Sequence, residues 1–272
     1  MNSLDKPIER GRTAEVFSGD PGRVLKLYRA GWPEAAAQRE FEIAQILEAT
    51  CVPAPRARGI LRIDGRVGVE FDEVEGDSML DLLPRQPWRI ASHARTLAAL
   101  HFTIHSTTIA GLPSARDLLN KAIQRADDLG TEHRESALRL LASLPDGSSL
   151  CHGDFHPANV ILSPTGPVVI DWPQAYSGNP LADVARSLVL FRFGPLAEPK
   201  FGKRALFRMF SNLFARSYLA RYRKLAGVDD VQQLRRWVIV CTTARLAEGI
   251  EQERSALVDS ARRGLHLYAP LR

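Results

Sequence analysis

No stretch of this chain approaches the roughly 18 consecutive apolar residues that a membrane-spanning helix requires, so no membrane partner is expected. The N-terminal MNSLDKPIERGRT carries no apolar run of signal-peptide length, and the expected location is the cytoplasm. Cysteine is scarce: Cys51, Cys151 and Cys241 are three in number and far apart. That excludes a disulfide framework and reads all three as reduced core residues. Low-complexity linkers and internal repeats are also missing. Basic charge is not scarce. The net charge is +5, and much of the excess follows Pro199, from Lys200, Lys203, Arg204 and Arg208 through to Arg262 and Arg263. Phe, Leu and Tyr interleave with these residues at helical spacing, and no nucleic-acid recognition motif accompanies them. They read as solvated helix faces over an apolar core, and a nucleic-acid partner is not expected.

The first seventy or so residues read as strands. Glu15 to Ser18 and Arg23 to Tyr28 flank the turn cluster Gly19-Asp20-Pro21-Gly22, and Ala57 to Ile63 and Arg66 to Phe71 flank Asp64-Gly65. Asp-Gly between apolar runs is the strongest short hairpin signal. Between the hairpins one helix is predicted from about Pro33 to Ala49, with Phe41, Ala44, Ile46 and Leu47 as its apolar stripe. After Glu75-Gly76 the periodicity becomes helical, over Trp88 to His105, Arg116 to Leu144, and Leu181 to the end. The expected class is therefore α+β, with a small antiparallel-sheet lobe over residues 1–75 and a larger, mainly helical lobe over 76–272.

The chemistry concentrates in LCHGDFHPANVILSPTGPVVIDWPQAYSGNPLAD, Leu150 to Asp183. Asp154 falls in a loop after the short apolar Leu150-Cys151 strand, where its carboxylate can orient or deprotonate an attacking hydroxyl. Asn159, five residues on, can turn its amide oxygen to a metal. Asp171 ends the apolar run Pro167 to Ile170 and offers the hard anionic oxygen that magnesium prefers. Singly, Asp and Asn in loops are turn formers or caps. Together, as H-G-D-x-H-x-x-N followed by I-D-W, they outline a phosphoryl-transfer site, which asks a protein for positioning and charge compensation.

HGDFHPANVI followed by VVIDW resembles the catalytic and metal-binding motifs of the aminoglycoside phosphotransferase family, which includes choline-kinase-like enzymes and shares the bilobal protein-kinase fold. The resemblance implies that Asp154 is the catalytic aspartate, that Asn159 and Asp171 bind Mg2+, and that His156 stands near the transferred phosphoryl group. It makes His152 a loop-orienting residue and Asp183 a brace for the catalytic loop. In the small lobe it implies that Lys26 holds the phosphates of ATP or GTP. Glu40 is then the lysine's better-matched partner, with Glu42 as the competitor. Backbone groups of the loop around Gly11, Thr13 and Ala14 would cover the phosphates, although this loop departs from a glycine-rich pattern. Val74 would meet the adenine through its backbone.

Only eleven residues separate Asp171 from Asp183, which leaves no room for a long activation segment. The expected acceptor is therefore the hydroxyl of a small molecule rather than of a protein, and Pro173 stiffens the run against a mobile regulatory switch. Glu248 and Glu251 are candidate acceptor residues and share a helical face if the helix runs through Gly249. The basic C-terminal third argues against a polycationic acceptor, and a neutral or mildly charged metabolite fits as well as an antibiotic. Other readings stay open. G-D-x-H also occurs in metallophosphoesterases, but no G-N-H-D/E segment follows here. A nucleotide- or nucleic-acid-binding module that has lost catalysis is the non-enzymatic alternative. His101 and His105, four apart on a helix, lack the glutamate of a zinc-peptidase motif, and His101 reads as a buried core histidine.

Overall fold

A computed structural model describes residues 6–194 and 201–268, without the side chains of 201–208. Lys200 and the side chains of Lys203, Arg204 and Arg208 lie outside the described residues. The chain divides into two compact units. One holds the described residues through Leu82 together with Pro157–Gln174, and the other holds Leu83–His156 together with the described residues from Ala175 onward. The Val160–Val169 segment thus folds with the N-terminal residues rather than with its sequence neighbours.

In the first unit, β1 (Glu9–Arg10), β2 (Ala14–Ser18), β3 (Arg23–Tyr28), β4 (Ala57–Ile63) and β5 (Arg66–Asp72) form an antiparallel sheet in the order β1-β2-β3-β5-β4. Both anticipated hairpins are present. Asp64 and Gly65 have φ of 49° and 73°, the left-handed pair that a tight hairpin turn demands. The helix α1 (Glu34–Glu48) lies between the hairpins in sequence. One face of the sheet packs Tyr28, Val69 and Phe71 with Ala37 and Ala44 of α1, while Phe17, Leu25, Leu27 and Ile63 cluster separately. Alternation along β3 therefore sends Val24, Lys26 and Tyr28 to the helix-bearing face. The two-residue strand β1 is too short to leave a pattern in the sequence.

A second sheet in this unit joins β6 (Asp77–Ser78), β8 (Val160–Ser163) and β9 (Gly166–Val169). Gly76, at φ 137°, makes this approach workable, because a Cβ there would lie 2.5 Å from the Leu162 carbonyl oxygen. The short helix α2 (Met79–Arg85) follows β6.

The second unit is mainly helical: α3 (Ile90–His105), α4 (Ala115–Gln124), α5 (Thr131–Ala142), α6 (Pro180–Phe193), α7 (Phe201–Ala226), α8 (Val231–Arg245) and α9 (Glu251–Leu267). It also carries the two-stranded pair of β7 (Ser149–Cys151) and β10 (Tyr176–Gly178). Three expectations need correction. The periodic run from Arg116 to Leu144 is two helices, interrupted where Gly130 takes φ 78°. Glu248 and Glu251 do not share a helical face, because Gly249 adopts a left-handed conformation with φ 65° and α9 begins only at Glu251. Cys151 and Cys241 are buried free thiols, but Cys51 is exposed in the turn that follows α1. Among the described residues, no helix is long and apolar enough to cross a membrane.

Candidate active site

Within the first unit, Lys26 Nζ lies 2.6 Å from Glu40 Oε1 and 2.7 Å from Asp171 Oδ1. These three residues come from a strand, a helix and the end of a distant hairpin. Glu40 is buried and accepts a second bond from the Tyr28 hydroxyl at 2.6 Å. Burial alone would lower the lysine's pKa, but the facing carboxylates of Glu40 and Asp171 outweigh it and hold the ammonium charged well into the alkaline range. Burial pushes the Glu40 carboxyl up, against the pull of Lys26. Glu42 does not compete for the lysine, since its Oε1 accepts from Gln38.

Asn159 and Asp171 are brought together by register. Val160 pairs with Val169, and the Ile170 N–H donates to the Asn159 carbonyl at 3.0 Å, so the two residues flank the same end of the β8–β9 hairpin. Asp171 takes φ 66°, a left-handed value that a non-glycine residue adopts at a cost. A half-exposed carboxylate and a neighbouring amide oxygen are hard donors, which suits magnesium.

The loop ahead of β2 is less open than its small residues suggest. The Gly11 N–H donates to the Ala14 carbonyl at 2.9 Å, the Thr13 carbonyl accepts from the Arg29 N–H at 3.0 Å, and Ala14 is buried in the ladder opposite Tyr28. Val74 is half-buried in the extended stretch between β5 and β6.

In the second unit, the loop after β7 carries Asp154 and His156, with His156 Nε2 at 3.5 Å from Asp154 Oδ2. The loop is tied from behind by Asp183, in the first turn of α6. Its carboxylate accepts the backbone N–H groups of His152 at 2.6 Å and Gly153 at 3.0 Å. His152 in turn accepts the Asp154 N–H on Nδ1 at 3.2 Å, and Ser187 donates to the Phe155 carbonyl at 2.8 Å. Burial by itself would raise the Asp154 pKa. The hydrogen bond and charge of His156 and the Arg186 guanidinium overcome that and hold the carboxyl well below the usual carboxylate range. Asp154 is therefore an anion at any working pH.

Asp183 is also the hub of a buried network. His101 Nε2 and His105 Nε2 lie 3.0 and 3.4 Å from its Oδ2. The opposite ring nitrogens face the hydroxyls of Tyr218, at 2.5 Å, and Tyr222, at 2.6 Å. A carboxylate can only accept, so each Nε2 carries the proton and each Nδ1 accepts from a tyrosine. These three residues have the composition of a metal cluster, but the ring nitrogens are already matched donor to acceptor within the protein.

Arg186, Arg245, Tyr218 and Tyr222 did not emerge from the sequence. The available signals were an arginine three residues after Asp183 in an apolar helix and a Tyr218/Tyr222 spacing that repeats the His101/His105 spacing. Glu248 pairs with Arg186 at 2.6 Å and with Arg245 at 3.1 Å, whereas Glu251 is exposed and pairs with Arg254 at 3.3 Å.

The model of the phosphotransferase enzyme family matches residues 6–236. This chain belongs to that family. A crystal structure of a thermostable mutant of aminoglycoside phosphotransferase APH(4)-Ia, in ternary complex with AMP-PNP and hygromycin B, is similar with a TM-score of 0.67 and 17% identity, covering 98% of this chain and 94% of that one. The streptomycin-ATP-APH(2")-IIa complex gives a TM-score of 0.60 at 18% identity, covering 97% and 91%. At these identities the likeness establishes the fold, the bilobal kinase-like α+β class. An uncharacterised protein of Deinococcus radiodurans is 28% identical over 196 residues, 64% of this chain and 57% of that protein. The matched region thus spans little more than half the length of that relative.

Proposed function

We propose that this member of the phosphotransferase enzyme family moves the γ-phosphoryl group of ATP or GTP to a hydroxyl of a small molecule. The observation that carries the reading is Lys26, held by Glu40 and Asp171 at 2.6 and 2.7 Å. A lysine fixed on a central strand by a buried carboxylate, and charged well into the alkaline range, is a phosphate-binding cation rather than a solvated surface group.

The chain's own residues supply the remaining parts. Lys26 binds the nucleotide phosphates and compensates charge on the departing diphosphate. Asn159 and Asp171 would hold Mg2+, which when bound supplies further charge compensation to the phosphate oxygens. Asp154 accepts a hydrogen bond from the acceptor hydroxyl and aims its oxygen at the γ-phosphorus. The new O–P bond forms as the bond from phosphorus to the β–γ bridging oxygen breaks, and the hydroxyl proton passes to Asp154. A carboxylate of depressed pKa suits this order of events. In a loose transition state the hydroxyl oxygen needs orientation early and loses its proton late. His156 stands beside Asp154 Oδ2 and is assigned to the transferred group. The Gly11–Ala14 loop and Val74 are assigned to the nucleotide's phosphates and base.

The acceptor class follows from what remains available. Glu248 is occupied by two arginines, so it offers little to a polycation, and neutral or mildly charged polyols are favoured beside aminoglycosides. A coupled nucleotide-consumption screen over aminoglycosides, choline-like amines, sugars and nucleosides tests the reading. Wild type should consume Mg·ATP or Mg·GTP with at least one acceptor. Asp154→Ala should lower that rate by roughly 10² to 10⁴-fold with nucleotide affinity nearly unchanged. Retention of a specific RNA at physiological salt, without transfer to any acceptor, would support a binding module instead.

A further inference from the structure

Beside the Asp154 loop, the helical unit holds a chain of alternating charges that phosphoryl transfer does not by itself demand. It begins at Glu253, buried in the first turn of α9. Glu253 takes a two-pronged bond from Arg245, with Nε at 2.5 Å and Nη2 at 2.8 Å. Arg245 Nη1 continues to Glu248 Oε2 at 3.1 Å. Glu248 Oε1 then meets Arg186 Nη2 at 2.6 Å, and the same Nη2 lies 3.6 Å from Asp154 Oδ1. Arg186 also donates its Nε–H to the Gly153 carbonyl at 3.2 Å. One guanidinium thus grips the backbone before Asp154 and faces its carboxylate.

We propose that Arg186, anchored by Glu248, is a positioning residue that fixes the Asp154 carboxylate for phosphoryl transfer. The claim rests on the phosphotransferase reading of Asp154. Its two carboxylate oxygens are flanked by different groups, Oδ1 by Arg186 and Oδ2 by His156 at 3.5 Å. With a cationic or ring nitrogen facing each oxygen, the carboxylate is restricted in rotation from both sides. The Arg186 side chain is only 11% exposed, and a nearly buried guanidinium must be neutralised. Glu248 does that from the far side, which lets Arg186 face Asp154 without holding it in a tight pair.

Arginine suits this place because its planar fork addresses the Gly153 carbonyl and two carboxylates at once. A lysine would carry the charge on a single point and give up the Nε contact. The position also explains why Glu248 is an unsuitable sole anchor for a cationic acceptor: moving it would release Arg186. Small displacements of a group that orients a nucleophile cost rate more than binding, on the order of 10²-fold for about 1 Å.

The test is steady-state consumption of Mg·ATP and Mg·GTP by wild type, Arg186→Met, Arg186→Lys and Glu248→Gln. It is run with the best acceptor found and, separately, with water as acceptor. Thermal midpoints are measured alongside. Arg186→Met should lower kcat about 10- to 100-fold with nucleotide KM within about twofold of wild type. Arg186→Lys should recover part of that loss, and Glu248→Gln should fall between wild type and Arg186→Met. Should Arg186→Met fail to fold, Glu248→Gln carries the test, and a wild-type kcat in that variant overturns the proposal. Wild-type kcat in Arg186→Met, or kcat and KM deteriorating together in step with the midpoint and without recovery by lysine, likewise overturns it. If wild type itself consumes no nucleotide under any condition, the phosphotransferase reading fails first. Consumption by wild type and Arg186→Met alike removes only the role of Arg186.

Discussion

Asp171 occupies left-handed backbone space at φ 66°, where an L residue other than glycine pays roughly 1–2 kcal/mol and Asn or Asp pays least. The strain places its carboxylate on Lys26 at the end of a hairpin, and strain of this kind collects at functional positions. Asp171→Asn and Asp171→Ala should therefore separate fold from function. Both should abolish most magnesium-dependent nucleotide turnover, but denaturant unfolding should show the alanine variant about 1 kcal/mol less stable than the asparagine one. Equal stabilities would mean that the backbone there relaxes at no cost. Lys26 behaves differently, because its removal strands a buried Glu40 with only Tyr28 as partner. Lys26→Met should cost about 3 kcal/mol, and adding Glu40→Gln should recover more than half of it, as expected when a buried charge loses its partner. A double variant no more stable than Lys26→Met would refute that account. The pairing of Lys26 with Glu40 was legible only through the family resemblance, which calls for an acidic partner in the following helix; the strand pattern alone also allows a lysine that points to solvent. Arg186 was not legible, because its partners Glu248 and Gly153 lie far away in sequence and only the packed helices bring them together.

Elements carry the same lesson with a different period. Both N-terminal hairpins and α1 could be read because turn chemistry and apolar spacing agree there. The helix breaks at Gly130 and Gly249 were missed because the apolar pattern runs on past each glycine, and a glycine within a periodic run does not announce its φ. The two-residue strands β1 and β6 were missed because they are set by their partners rather than by their own composition. Gly68 in β5 shows what such pairing requires. A Cβ there would sit 2.5 Å from the Lys26 carbonyl oxygen and 2.9 Å from Leu27 Cα, both backbone atoms of β3 that cannot yield cheaply. Gly68→Ala should push β3 aside, cost about 1–3 kcal/mol, and weaken nucleotide binding by displacing Lys26. Gly59→Ala in β4 is the matched control, since nothing lies within 4 Å of its added Cβ. Thermal midpoints and nucleotide titrations on the two variants should differ in both readouts, and parallel behaviour would dissociate Gly68 from the Lys26 strand.

At the scale of the whole molecule the two units should answer acid in opposite directions. In the helical unit, burial and the neighbouring His105 depress the His101 pKa to about 3 from an ordinary 6.5, with Asp183 pulling the other way. The unfolded chain therefore binds one more proton than the folded one between those values. Each such group tilts stability by about 1.4 kcal/mol per pH unit, with stability falling as pH falls below 6.5. His93, depressed by burial and by Arg89, adds in the same direction. Burial would raise the Asp183 carboxyl, but His101 and His105 hold it well below the usual range, so its stabilising contribution persists until strongly acid conditions. In the sheet-bearing unit the sign reverses. Glu40 has a folded pKa above its unfolded value because it is buried. The folded state takes up the proton first, and that unit gains relative stability as pH falls towards 4.5. Calorimetric scans from pH 7.5 to 4 should thus show the transition of the helical unit moving down while that of the sheet unit lags behind it. Replacing His101 with Gln should flatten the acid slope of the helical unit, since glutamine does not titrate. An unchanged slope in that variant would locate the acid sensitivity outside the Asp183 network.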